Sequence, residues 1–495
     1  MDAQEITAKV QEKELLIERS AVDCLLNLEN AQLILEKALE QVEGFVITHK
    51  LIDSIMESQA AEKKAIQVVI KPQIEFSPPA KEIPSALKHR EDYDVSEKSR
   101  CTGVIEDFVN YFRDRFRRIS PYIRSRPGGG GVTQIAALKG FTKGRSARII
   151  GMVREKRNAR SGHALIEVED EEDFITCLIP KDSPLFPLGA EILLDEVIGL
   201  DGYVSNGLFI VKNVLWPEVP IRSKKLIAED VSVGLLSDLH IGSKNFLSED
   251  FERLLRFLNG EGSDYEREIA GKIKYLLIAG DIVDGIGIYP TQEKQLVSKD
   301  IYTQYEIFAE FMKNVPEYIE VVISPGNHDA VRNAEPQPRL LKEFTRDLEG
   351  FKNMHFVGNP ALLEIHELKT LIYHGTSLDT MIANMSLQAG YQNPEKVAIE
   401  MLKRRHLSSV YGEKPIVPEK RDYMVIDEVP DLFHFGHVHK NGYSDYRGTM
   451  IINSGTWQSV TDYQIRLGHV PTPSQFPIYN LRTGSLNVMN FGKSS

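Results

Sequence analysis

Five short apolar runs in the second half of the chain each end in residues able to bind a metal ion. They are VSVGLLSDLH (Val231 to His240), KYLLIAGD (Lys274 to Asp281), EVVISPGNHD (Glu320 to Asp329), TLIYHG (Thr370 to Gly375) and DLFHFGHVH (Asp431 to His439). Each begins with the Val, Ile, Leu, Tyr or Phe of a buried strand and closes on Asp, Asn or His. In open α/β sheets, ligands bind in the crevice outside the carboxyl ends of the strands. Neighbouring strands would therefore deliver Asp238, His240, Asp281, Asn327, His328, His374, His437 and His439 to one place. That set is too large for one ion and suits two.

The spacing supports this. Asp238 and His240 stand two apart, so at the end of an extended strand they point the same way. His437 and His439 repeat the interval. Gly280 before Asp281 and Pro325-Gly326 before Asn327 allow sharp turns beneath a bound ion. Carboxylate, imidazole and amide oxygen together suit Mn, Fe, Zn or Co better than a calcium cage. Two ions roughly 3.5–4 Å apart can share a carboxylate, activate water for in-line attack on phosphorus and neutralise the phosphoryl oxygens. An imidazolium can serve the leaving oxygen. Of the 13 histidines, five fall in the motifs that close these runs. His434 lies within the last strand and reads as structural. His49, His89, His163, His355, His366, His406 and His469 have no such context.

The elements that must position this set follow from the rest of the chain. Its 495 residues allow two to four domains, and 42% hydrophobic with 26% charged residues is a globular composition. No apolar run reaches the roughly 18 residues of a membrane span, and the charged N-terminus does not read as a secretory signal. Three scattered cysteines (Cys24, Cys101, Cys177) suggest no disulfide framework and a reducing, intracellular setting. A net charge of −12 argues against a surface that grips nucleic acid everywhere.

Residues 1–70 read as a helical domain, from Leu25, Leu26, Leu28, Leu33, Leu35, Leu39 and Val42 near helical spacing. A small bundle is the simpler reading and a partner-docking module the functional one. Residues 71–143 read as a linker, with Pro72, Pro78, Pro79 and Pro84 among charges and a flexible joint at Gly128 to Gly131. The linker carries a basic amphipathic helix at about 105–119. Phe108, Tyr111, Phe112 and Phe116 share one face of it, and Arg113, Arg115, Arg117 and Arg118 take the rest; packing on a neighbour is favoured over nucleic-acid contact. Residues 144–220 read as a five-stranded OB-type barrel: Ala147–Arg154, Ala164–Val168, Phe174–Ile179, Glu191–Leu200 and Leu208–Leu215. Its basic loop offers Arg154, Lys156, Arg157 and Arg160 to nucleic acid, against a purely structural role, and Phe174 and Phe209 read as core. From 225 to 495 strands alternate with helical stretches, an α/β pattern. Trp457, Tyr463, Phe476 and Tyr479 read as core ahead of a partner interface.

The motifs Asp238-Leu-His240, Gly280-Asp-Ile-Val-Asp284, Gly326-Asn-His-Asp329, His374 and Gly436-His-Val-His439 resemble the calcineurin-like metallophosphoesterase superfamily. The resemblance implies a four-layer α/β/β/α domain. It implies that Asp238, His240, Asp281 and His439 hold one ion and that Asp281, Asn327, His374 and His437 hold the other. By the same resemblance, His328 is the catalytic acid or transition-state stabiliser and Asp284 orients it. The order helical region, barrel, phosphoesterase domain is similar to the B-type subunits of replicative polymerases. FVNYFRDRFRRI and SGTWQSVTDYQIRLGHVPTPSQFPIYNLRTG look like the archaeal family-D small subunit.

That resemblance implies a multidomain α+β chain with a two-metal 3′→5′ exonuclease that proofreads single-stranded DNA ends. It further implies Mn²⁺ as the first choice of ion, with Mg²⁺, Fe²⁺ or Zn²⁺ as alternatives. The partners would be a large catalytic polymerase subunit, DNA and a sliding clamp, with no membrane, in an archaeal cytoplasm at the nucleoid. Ser/Thr phosphatases continue two of these motifs with arginines. Here Gly285-Ile286 and Ala330-Val331 stand there, with Arg332 nearby, which favours a diesterase. The alternatives are a phosphatase or nucleotide-pyrophosphate hydrolase, and a non-catalytic assembly subunit.

Overall fold

The computed structural model describes residues 1–28, 31–42, 44–56, 76–127, 131–385, 390–461, 464–465 and 469–492. The readings placed on Pro72, Gly128 to Gly130 and Tyr463 lie outside them. The chain divides into two units, Met1–Val69 and Ile70–Ser495.

In the first unit, helices Ala3–Glu12, Arg19–Leu26 and Ala31–Gln41 surround a core that includes Ile6, Val10, Leu25, Ile34, Leu35 and Ile47. Its short parallel pair, β1 (Leu16–Ile17) and β2 (Val46–Ile47), carries no periodic signal in the sequence.

The second unit begins with β3 (Leu87–His89) and the helix Ile105–Arg124. A closed barrel follows: β4 (Ser146–Asn158), β5 (Ala164–Glu169), β6 (Phe174–Ile179), β7 (Val197–Ser205) and β8 (Leu208–Leu215), in the order β4-β5-β6-β8-β7. Five strands were expected, but Glu191–Leu200 is not one of them. Phe186–Glu191 is a short helix with Pro near its start, and the strand begins only at Val197. The expected basic loop is also corrected, because β4 continues to Asn158, with Glu155 to Asn158 paired to β5 after an irregularity at Arg154.

The remaining strands are β9 (Ser232–Leu236), β10 (Ile273–Ala279), β11 (Glu320–Ser324), β12 (Met354–Phe356), β13 (Ala361–Ile365), β14 (Leu368–Tyr373), β15 (Leu432–Phe435), β16 (Asn441–Tyr446), β17 (Thr449–Ser454), β18 (Gln475–Asn480) and β19 (Leu486–Asn490). They form two six-stranded sheets, β12-β11-β10-β9-β18-β19 and β16-β17-β15-β14-β13-β3. β9 to β12 run parallel, as do β14, β15 and β17. Both faces of such strands are covered, which is why β9 and β10 are buried throughout and mostly apolar rather than alternating. One core joins the sheets, with Val233, Leu235 and Tyr275 from one against Leu363, Ile372 and Ile452 from the other. Helices Leu378–Asn384 and Pro394–Arg404 cover the outer face of the second sheet through Leu378, Met381, Met401 and Leu402. Beside the first sheet, Phe257 of the helix Ser248–Leu258 meets Phe476 of β18 edge-on at 6.5 Å.

Described residues 76–127 do not behave as a linker. β3 adds to the edge of the second sheet by pairing with β13. Tyr275 Oη accepts from the Ala86 amide at 2.9 Å. The charges that suggested solvation are paired, since Arg90 bonds Glu364 and Glu428. The helix reaches Arg124 rather than about 119, and burial of Ile119 and Ile123 explains the extra turn.

Asp94 fastens the segment further, accepting from the amides of Ser96 (2.7 Å) and Gly358 (2.8 Å) and lying 3.0 Å from His89 Nε2. Burial works to raise its pKa, but bonds from His89, Ser96 and Gly358 outweigh burial and bring it down to about 2. An unfolded aspartate titrates near ~3.9. The folded value is lower, so Asp94 contributes about 2 kcal/mol above that pH, lost as pH falls from about 4 to about 2. Urea melts of wild type and Asp94→Asn should therefore differ at pH 6 and converge in acid; a gap independent of pH would contradict this.

Candidate metal centre

The ligand-bearing residues stand just past the ends of β9, β10, β11, β14 and β15, on the crevice side of the two sheets. Asp238, His240, Asp281, His374 and His439 are buried. One sequence expectation needs correction: Asp238 and His240 are not on an extended strand. Their φ angles are 52° and 53°, and Asp281, His437 and His439 are likewise left-handed at 51°, 72° and 57°. Non-glycine residues held there are costly and cluster at functional sites. Close backbone approach explains the glycines of the motifs. A Cβ on Gly326 would collide with the Asp281 carboxylate, and one on Gly436 with Asp238 and Ser237.

Each of four imidazoles is tied by one nitrogen and turns the other inward. His240 Nδ1 meets Asp284 Oδ1 at 3.0 Å, and His374 Nδ1 meets the Ala279 carbonyl at 2.8 Å. His437 Nε2 meets Asp379 Oδ2 at 3.1 Å, and His439 Nδ1 meets the Gln464 amide at 2.7 Å. Acceptors such as the first three orient metal-binding histidines, whereas at His439 Nδ1 the neighbour is the Gln464 amide nitrogen. A carbonyl only accepts, so His374 carries its proton on Nδ1. Its Nε2 faces Asn327 Oδ1 at 3.0 Å and Asp281 Oδ2 at 3.3 Å, a position for an ion or, without one, a second proton. His240 Nε2 and His439 Nε2 approach to 2.9 Å, with Asp238 Oδ1 3.3 Å from the latter. Converging acceptors and buried carboxylates call for cations.

The electrostatics agree. Burial would lower the His374 pKa, but Asp281 and then Asp238 reverse this and push it up to about 10. Burial would raise that of Asp281, yet His374, His328 and His240 hold it well below the usual carboxylate range. In a site without an ion, imidazolium charge stands in for metal charge. Two groups of donors lie close enough to hold an ion each: Asp238, His240 and His439, and Asp281, His374 and His437. Asn327 adjoins the second through His374. The donor set thus fits two ions, with Asp281 near both: its Oδ2 is 3.3 Å from His374 and 3.8 Å from His240.

His328 Nδ1 lies 2.7 Å from the Asp284 carbonyl, and its amide donates to Asp281 Oδ1 at 2.9 Å. The expected role of Asp284 is therefore split. Its backbone oxygen orients His328, while its carboxylate orients His240 and accepts from Gln292 and Gln458. Sequence reasoning missed Asp329, whose carboxylate accepts from the amides of Gly326, Ile282 and Val283 and so clamps two ligand loops together. It also missed Asp379, Gln458 and Gln464, polar residues on stretches without a motif. Arg332 does not face the centre; it bonds Pro336 O, Ser99 and Glu419.

The barrel residues offered to nucleic acid line a different surface. Lys156 donates to the carbonyls of Ala190 and Ile192, Arg154 lies 3.4–3.5 Å from Glu169 and Glu167, Arg157 pairs with Glu155, and Arg160 is exposed. Phe209 is core, but Phe174 is half exposed, with the Arg154 guanidinium 4.7 Å from its ring centre. Trp457, Phe476 and Tyr479 are buried, and Trp457 packs on Phe251 at 5.2 Å. His434 is fully buried against Ser454. No helix among the described residues is long and apolar enough to cross a membrane.

Two facing sheets with paired carboxylate–imidazole groups at their strand ends, joined to a five-stranded barrel, define a multidomain α/β protein with a cluster that could hold metal. Comparison with known proteins gives the family. The family of B-type subunits of DNA polymerases alpha and epsilon matches residues 233–442. Proteins named DNA polymerase II small subunit match at 44% identity in Methanocaldococcus jannaschii (81% of this chain, 68% of that one) and 38% in Archaeoglobus fulgidus (88% and 87%). One from Methanothermobacter thermautotrophicus is 39% identical (80% and 82%). The chain belongs to the family of archaeal DNA polymerase II small subunits. A solved structure described as a novel archaeal phosphodiesterase aligns with 52% of this chain and 99% of its own, at 14% identity and a TM-score of only 0.28.

Proposed function

We propose that this small subunit carries a two-metal phosphodiesterase acting as a 3′→5′ exonuclease on single-stranded DNA ends, within a complex whose large subunit synthesises DNA. The observation that carries the reading is the set of four imidazoles, each tied outside and turned inward onto Asp238 and Asp281. Asp238, His240, Asp281 and His439 would hold one ion and Asp281, Asn327, His374 and His437 the other; Mn²⁺ suits this donor set, with Mg²⁺, Fe²⁺ or Zn²⁺ as alternatives. Bound there, two divalent ions supply an activated water and neutralise phosphoryl charge.

The chain's own residues do the rest. Since the Asp284 carbonyl accepts from Nδ1, His328 can donate from Nε2 only as the imidazolium. Nε2 sits 3.9 Å from Asp281 Oδ2. From there it can protonate or stabilise the leaving 3′ oxygen. The cavity beside it, about 450 Å³ and lined by His240, Asp281, His328, Tyr289 and His439 among others, is of nucleotide-binding size.

The barrel, read as OB-type, would guide the strand along Arg154, Arg157, Arg160 and the exposed Phe174; Lys156 is the weakest of that set because its ammonium is already satisfied. A sliding clamp and a cytoplasmic, nucleoid location accompany this reading. The outward commitment of Arg332 counts against the phosphatase alternative, and retention of every ligand counts against a purely assembling subunit.

The test is hydrolysis of a 5′-labelled single-stranded oligonucleotide with Mn²⁺. Wild type should yield a descending ladder, and His328→Ala should slow it about 10²-fold or more. Release of phosphate from a monoester with no ladder would replace this function by the phosphatase one.

A further inference from the structure

One wall of the cavity supplies no direct ligand to the ions. Asp379 Oδ2, which meets His437 Nε2, also accepts from Lys414 Nζ at 2.8 Å, and its Oδ1 accepts from Tyr391 Oη at 3.1 Å. The Tyr391 ring lies on His469 with centroids 4.1 Å apart. Lys414, Tyr391 and His469 all line the cavity, and Lys414 is the sole lysine or arginine among the described residues that do. It is about one-third exposed (31%), and Asp379 uses one of its three donors. A phosphodiester entering here brings a negative charge, and Arg332 is committed elsewhere.

We infer that Lys414, Tyr391 and His469 form the subsite for the terminal nucleotide, Lys414 gripping phosphate oxygens and the stacked pair receiving the base. This rests on the phosphodiesterase reading and specifies its substrate as a nucleoside monophosphate unit. Lys414 would touch substrate directly, whereas Asp379 is a positioning residue that holds Lys414 and His437 together. Stacking on an aromatic platform tolerates any base, as a sequence-indifferent nuclease needs.

The test is equilibrium binding of thymidine 5′-monophosphate and of inorganic phosphate to the Mn²⁺-loaded full chain, alongside the oligonucleotide ladder. Lys414→Ala should weaken both ligands about 10- to 100-fold. Lys414→Arg should restore most of that. Tyr391→Ala should weaken thymidine monophosphate about tenfold and leave phosphate unchanged. Manganese content and melting temperature of the lysine variants should match wild type.

Binding by Lys414→Ala within twofold of wild type would overturn the subsite. So would loss of manganese from that variant, or a wild type that binds no nucleotide. A wild-type ladder that Lys414→Ala leaves unchanged removes the subsite and keeps the nuclease. Lysine-dependent nucleotide binding without a ladder removes the nuclease and keeps the subsite.

Discussion

Asp281→Asn is expected to slow phosphodiester hydrolysis by at least about 10³-fold, because a bound ion pair supplies several kcal/mol of transition-state stabilisation. The substitution keeps the shape of the side chain and removes its charge. Asp281 is buried, its Oδ1 accepts from the His328 amide, and its Oδ2 faces His374, His240 and His328. Asp281 groups with His374 and His437 and also with His240 and His328, so an amide there would deprive both ions of their shared ligand. An amide NH₂ would also point at imidazole nitrogens. Manganese stoichiometry should fall below two per chain, with wild-type secondary structure retained. An asparagine variant that binds two ions and turns over normally would contradict the assignment of Asp281 as the bridge.

Arg115→Ala should cost about 3–5 kcal/mol, the range for breaking a buried ion pair by removing one partner. Arg115 has no exposed side-chain surface, and neither has Asp422, to which its Nε donates at 2.7 Å. Its other donors reach the carbonyls of Asp195 (2.9 Å) and Ser409 (2.7 Å) and the hydroxyl of Tyr111 (3.1 Å). One side chain thus ties the helix Ile105–Arg124 to the barrel and to the two-sheet body. Burial works to raise the Asp422 pKa, and His406 with Arg115 holds it far below the carboxylate range. Truncation leaves that charge with half its support and strands two carbonyls. Denaturant melts should show the loss, with tryptic cleavage between barrel and body increasing in parallel. Stability unchanged within about 1 kcal/mol would mean that water replaces the guanidinium, contrary to the burial seen.

The metal centre was legible because its physics writes itself locally. Strands buried on both faces must be continuous apolar runs, so β9, β10 and β11 announced their ends. The turns that follow need Gly280, Gly326 and Gly436 for close approach, so Asp281, Asn327 and His437 each came with a glycine beside it. What surrounds the ligands was not legible in this way. Asp379, on the helix Leu378–Asn384, and Gln464 and Gln458 lie outside the ligand motifs, and only tertiary structure brings them to His437, His439 and Asp284. Segment 76–127 misled because proline and charge usually mean solvated chain. Here the charges are spent on Glu364, Glu428, Asp422 and Asp427, partners more than 200 residues away in sequence. Arg115 reads with the arginines on the rest of the helix, although its spacing of four from Tyr111 and three from Phe112 puts it on the buried aromatic face. Phe174 reads as core by alternation, yet it lies at the start of β6, on the barrel's outer side.

The account stands most directly on what occupies the crevice at the strand ends. Crystals of the full chain grown with Mn²⁺ and measured above the manganese absorption edge should show two anomalous peaks about 3.5–4 Å apart. One should lie among Asp238, His240 and His439, the other among Asn327, His374 and His437, with Asp281 between them. A single peak, or none with the imidazoles unmoved, would contradict a two-metal phosphodiesterase at this site.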